Sequence, residues 1–175
     1  MKKTLLTICL IVFALPVWSE ALTMDDIVNR DGLLYKRFTD VPFTGEITGK
    51  IQVSIKNGKA VGEMVTYHKN GQLESKGRMK NNKQEGEWVS YWDNGQLYEK
   101  GKYKNGTRTG EWVFYRRNGQ LNQKGRFKDG NEDGEWVFYH RNGQLESKGR
   151  FKYGELLGEW FFYNEDGILE SKKTY

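Results

Sequence analysis

The chain has 175 residues, of which 21 are glycine and 14% are aromatic, with two prolines and one cysteine. Many aromatics beside few prolines exclude collagen-like and proline-rich disordered chains, and a single cysteine excludes a disulfide framework. Basic residues number 28 and acidic residues 23, a formal charge of +5 that is too small to name a partner, and a mean hydropathy of -0.81 excludes a multispanning membrane protein.

Lys2-Lys3 precede an apolar run from Leu5 to Leu15, followed by Pro16 and the small residues Ser19 and Ala21. This is the pattern of a secretory signal peptide over residues 1–21, cleaved after Ser19 or Ala21. The run falls short of the ~20 apolar residues that a membrane span requires. Export to the periplasm or beyond is therefore expected, with no transmembrane segment after cleavage. Cys9 follows Ile8 inside the apolar run, where a lipid-attachment signal would place a small residue, so it reads as filler.

Residues 22–61 are expected to form an N-terminal cap. Thr23 is a candidate N-cap for a short helical turn through Asp26 and Val28. Leu33 to Phe38 and Ile47 to Ile55 alternate like strands. Lys56-Asn57-Gly58 precedes Gly62 just as Lys104-Asn105-Gly106 precedes Gly110, which marks a degenerate repeat.

From Gly62 the chain repeats itself. Gly-Glu recurs at Gly62, Gly86, Gly110, Gly134 and Gly158, every 24 residues, giving repeats 62–85, 86–109, 110–133, 134–157 and 158–175. Tyr67, Tyr91, Tyr115, Tyr139 and Tyr163 fill one column, and Lys76, Lys100, Lys124, Lys148 and Lys172 another. Trp88, Trp112, Trp136 and Trp160 fill a third, with Met64 in the first repeat. Each repeat reads as two strands around Asn-Gly (Asp166-Gly167 in the last), the strongest short hairpin signal. The fold class expected is all-β: an elongated array of antiparallel hairpins forming a twisted single-layer sheet, its strands ~4.8 Å apart.

Register decides the faces. A two-residue Asn118-Gly119 loop pairs Trp112 with Gly125 and puts Trp112, Phe114, Leu121, Gly125 and Phe127 on one side, the Trp ring over the Gly. Glu111, Val113, Tyr115, Lys124, Arg126 and Lys128 then share the other. A three-residue loop with a bulge would instead put Val113, Tyr115, Leu121 and Phe127 together. The first is preferred because it separates charge from grease more completely.

No catalytic residue is assigned. His68 and His140 share a column with Trp92, Arg116 and Asn164, so nothing there depends on imidazole. Asp129-x-Asn131-x-Asp133 opens like a calcium loop, yet His140 stands where a bidentate Glu is needed. It reads as a polar turn, and neither metal nor cofactor is expected. The aromatic columns read first as core and second as a ligand platform, with Trp88, Trp92, Trp112, Trp136, Trp160, Tyr91, Tyr115 and Tyr139 as the binding candidates. The lysines Lys76, Lys100, Lys124 and Lys148 read first as a solvated face and second as a basic ladder. Twenty basic against 17 acidic residues over 62–175 are too dilute for a nucleic-acid groove.

The string Gly-Glu-Trp-Val-x-Tyr-x-x-Asn-Gly-Gln-Leu-x-x-Lys-Gly-x-Phe-Lys-x-Gly resembles the bacterial variant of the MORN repeat, fully over 62–175 and loosely over 32–61. Proteins built from it are commonly labelled YwqK-family antitoxins. The resemblance implies a hairpin array without catalysis, which neutralises a partner toxin by binding it. The expected function is thus an exported, non-enzymatic scaffold for protein–protein binding, of the antitoxin or immunity kind. The alternative is binding of a cell-envelope glycan or anionic lipid through the aromatic and basic ladders.

Overall fold

The computed structural model describes residues 22–175; the expected signal peptide, with Cys9, lies outside them. Twelve strands form one antiparallel sheet in strict chain order, and a separate two-stranded hairpin stands at the N-terminal end. The expected all-β hairpin array is the fold observed.

The N-terminal segment differs in detail from its sequence reading. Thr23 donates from its backbone N–H and hydroxyl to the Asp26 carboxylate, at 2.8 and 3.0 Å. The turn so capped is a 3₁₀ helix of Met24–Asp26 that stops short of Val28. Val28 belongs to β1 (Ile27–Arg30), which pairs with β2 (Leu33–Lys36). The strand expected over Ile47 to Ile55 is two strands, β3 (Gly45–Ile47) and β4 (Ile51–Lys56). Gly49, at φ 91°, turns the chain between them, a conformation open to glycine at little cost. Leu22, Ile27, Ile47, Val53, Ile55 and Ala60 bury an aliphatic core there, with Met64 packed against it. That explains methionine in the first place of the Trp column.

The repeats supply β5 (Lys59–Tyr67), β6 (Leu73–Lys80), β7 (Lys83–Tyr91), β8 (Leu97–Lys104) and β9 (Thr107–Tyr115). They continue through β10 (Leu121–Lys128), β11 (Asn131–Tyr139), β12 (Leu145–Lys152), β13 (Glu155–Tyr163) and β14 (Leu169–Thr174). Two kinds of turn join them. Between repeats, Asn105 and Gly106 both take positive φ, 53° and 83°, directly between the paired Lys104 and Thr107; this is the two-residue type I′ turn. Within a repeat the same dipeptide behaves otherwise. The Gly119 N–H donates to the Arg116 carbonyl at 2.9 Å, and the Arg116 N–H donates to the Gln120 carbonyl at 2.8 Å. That closes a three-residue loop, in which Asn118 Oδ1 accepts from the Gln120 N–H at 3.1 Å.

The expected two-residue loop at Asn118-Gly119 is therefore corrected, yet the preferred pairing survives. The loop pairs Tyr115 with Leu121, and a bulge at Asn122 then restores Trp112 opposite Gly125. One slip cancels the other. Leu121 leaves the aromatic side and joins Tyr115, contrary to its expected place.

Gly-Glu also has a structural reason. Gly110 and Glu111 pair with β10 but bulge out of register with β8, and Gly110 takes φ 68°. The same bulge recurs in every repeat, each time at the glycine, because other residues rarely tolerate that conformation.

Candidate binding face

The two sides of the sheet differ sharply. On one, Trp88, Trp112, Trp136 and Trp160 are only 1–6% exposed. Each indole lies on a glycine of the preceding repeat: Trp112 on Gly101, Trp136 on Gly125, Trp160 on Gly149. The sequence places each ring over the glycine of its own hairpin, so the expected stacking is corrected by one repeat. The Nε1–H groups of Trp112 and Trp136 donate to the carbonyls of Lys102 and Arg126, at 3.3 and 3.1 Å. Phe127 stands edge-on between Trp112 and Trp136, at 5.9 and 5.2 Å. These four tryptophans fill the core and join repeats; their faces are covered.

One charged pair intrudes on that side. Glu99 is buried, its carboxylate 2.8 Å from Arg108, and the guanidinium lies 4.4 Å over the Trp112 ring. Burial pushes the Glu99 carboxyl above its ordinary range, against the pull of Arg108. Neither residue stands out in the sequence, since both sit in columns occupied elsewhere by unlike residues.

A third connection lies at the turns. His68 Nε2 meets the Tyr91 carbonyl at 2.8 Å, Trp92 Nε1–H donates to that of Tyr115 at 3.1 Å, Arg116 donates to that of Tyr139, and His140 Nε2 meets that of Tyr163 at 2.7 Å. A carbonyl only accepts, so Nε2 of both imidazoles carries the proton. The column requires an N–H donor of sufficient reach, whatever its chemistry. Asn164, in the last repeat, turns instead to its own loop and accepts from the Asp166 and Ile168 N–H groups. Replacing His140 by leucine is expected to lower stability by about 1–2 kcal/mol in urea unfolding, and replacing it by arginine by less than about 0.5 kcal/mol.

Trp92 thus leaves the set of free aromatics: it is half-buried, donates to the next repeat and meets Tyr98 at 4.4 Å. Of the calcium-like trio, Asp133 is paired with Lys152 at 2.9 Å, and Asn131 opens a strand. Among the described residues no cluster of metal-ligating side chains occurs, and no helix is long and apolar enough to cross a membrane.

The opposite side carries the charge. Val89, Lys100, Val113, Lys124, Val137 and Lys148 follow one another from strand to strand. Lys76, Lys100 and Lys124 are exposed. In the adjoining row Glu63 stands opposite Arg78, Glu87 opposite Lys102, Glu111 opposite Arg126 and Glu135 opposite Arg150. Beyond the Val–Lys row, the half-buried Tyr91, Tyr115 and Tyr139 pair with leucines. A groove of about 690 Å³ runs over the first repeats on this side, lined by Lys76, Arg78, Val89, Lys100, Lys102 and Val113. A second, of about 520 Å³, includes Lys148, Arg150, Glu159 and Phe161. The structure brings the lysine and tyrosine candidates together on one side and separates them from the tryptophans.

Comparison with known families agrees with the geometry. The family described as MORN repeat variant matches at residues 60–81, 84–105, 108–129, 132–153 and 156–175, more than half of the chain. No curated protein matches it. Among solved structures it is similar to a chain of the GtfA/B complex bound to UDP and GlcNAc, at 12% identity and a TM-score of 0.21. That match covers 89% of this chain and 26% of the other, so the chain spans about a quarter of its length.

Proposed function

Because the chain belongs to the MORN repeat variant family and is a repeat scaffold, we propose that it is an exported, non-enzymatic binding protein whose charged side holds the partner. The observation that carries this is the contrast between the two sides. Trp88, Trp112, Trp136 and Trp160 are buried in joining repeats, whereas on the other side Lys76, Lys100 and Lys124 are exposed beside half-buried valines and tyrosines. The first reading is a protein partner, a toxin neutralised by binding in the YwqK manner. A signal peptide puts that encounter in the envelope, as for an immunity protein. The test is capture from envelope extract with wild-type protein and with the Lys100→Glu/Lys124→Glu double variant. A protein partner in fixed ratio, lost in the variant, is expected; no stable partner, or one held equally by the variant, overturns the reading.

A second reading, a glycan or anionic lipid of the envelope, is favoured by one feature. Two accessible columns, basic and aromatic, share one spacing.

A further inference from the structure

We propose that the charged side binds a linear acidic polysaccharide with one carboxylate per disaccharide. This rests on the second reading above and names its ligand. Lys76, Lys100, Lys124, Lys148 and Lys172 stand opposite Val65, Val89, Val113, Val137 and Phe161. They occupy every second strand, and so recur about every 9.6 Å. That is close to the length of a disaccharide unit in an extended sugar chain. The tyrosines recur at the same interval, so each unit of ligand meets one cation and one ring. A phenol face packs against the C–H face of a pyranose, and the apolar residues between the lysines, four valines and Phe161, offer no competing charge.

Charge bookkeeping points to an anion. Glu63, Glu87, Glu111 and Glu135 stand opposite Arg78, Lys102, Arg126 and Arg150, so the formal charges of these four pairs cancel and the lysine column remains. Lys76 and Lys172 touch Glu63 and Glu159, but those are exposed pairs, which a ligand carboxylate displaces at little cost. A peptide strand fits less well. Its side chains of one face recur about every 6.6 Å and fall out of step with the lysines after one or two contacts.

The experiment is calorimetric titration of the full chain with hyaluronan oligosaccharides of two to five disaccharides, beside neutral chitin oligosaccharides, poly-L-glutamate and phosphatidylglycerol-containing vesicles. Hyaluronan is expected to bind with an affinity that rises about threefold per added disaccharide and weakens with salt. Neutral oligosaccharides are expected to bind at least tenfold more weakly. The Lys100→Glu/Lys124→Glu variant should lose at least tenfold in affinity, and Tyr115→Ser should weaken binding without changing its salt dependence. Equal or tighter binding of poly-glutamate or vesicles overturns the proposal, as does binding without dependence on length. If no probe binds, the polysaccharide is excluded, while the protein reading stands or falls by capture from envelope extract.

Discussion

Gly125→Ala is expected to lower the stability of the array by about 3 kcal/mol, although alanine is ordinarily better than glycine inside a strand by roughly 0.5–1 kcal/mol. A Cβ at this position would stand 2.2 Å from Cδ2 of Trp136, well inside any real contact distance. The indole has nowhere to go. It is 2% exposed, edge-on to Phe127 at 5.2 Å and to Phe151 at 6.0 Å, and tethered through Nε1 to the Arg126 carbonyl. Relief requires that the two repeats part. Lys173 provides the contrast: it fills the glycine column opposite Trp160 on the outer strand β14, and its ammonium lies 5.5 Å over the Phe162 ring. Lys173→Ala is expected to change stability by less than about 0.5 kcal/mol. Urea unfolding followed by far-ultraviolet circular dichroism measures both.

Trp136→Ala carries the second large effect, about 4 kcal/mol, since it empties the space of a fully buried indole. Its consequence should extend beyond that figure. Each strand contacts chiefly the strands beside it, so stability along the sheet is a sum of neighbour terms. Trp136 joins the third and fourth repeats, and weakening that joint uncouples the hairpins on either side. Unfolding in two steps is expected for Trp136→Ala where the wild type unfolds in one. Non-coincident transitions by circular dichroism and by fluorescence of the remaining tryptophans are the readout.

Much of this architecture is legible in the sequence alone. The 24-residue period, the hairpins and the separation of Trp112 and Phe114 from Val113 and Tyr115 come from residue columns and from alternation along a strand. Turn type does not. Asn105-Gly106 and Asn118-Gly119 are the same dipeptide, yet only the first makes a two-residue turn. In the second, Asn118 accepts from the Gln120 N–H, and of the three loop residues only Gly119 takes positive φ. The compensating bulge at Asn122 is equally hidden: unlike the bulge at Gly110 it falls on no glycine, and its column holds Glu74, Tyr98 and Glu146 in other repeats. The Trp rings illustrate a similar limit. Gly125 pairs with Trp112 on one side and Trp136 on the other, and sequence spacing cannot say which indole leans over it.

The candidate site is legible as columns and illegible as a surface. Lysines and tyrosines are identifiable by their recurrence. The same recurrence marks the tryptophans, and only their burial separates the rings that join repeats from those left for a ligand. The donor column is the instructive miss. His68, Trp92, Arg116 and His140 look unrelated when sorted by charge or hydropathy; sorted by the ability to present an N–H at the end of a long side chain, they form one class. That property is the signal the sequence holds.

The claim that the charged side is the binding surface is tested most directly by mapping lysine reactivity. Acetylation of the free protein and of the protein saturated with hyaluronan oligosaccharide is compared residue by residue by mass spectrometry. The expected result is protection of Lys76, Lys100, Lys124 and Lys148, with Lys59, Lys83 and Lys173 unchanged. Unchanged reactivity along the lysine column, or protection confined to residues outside it, would contradict the account.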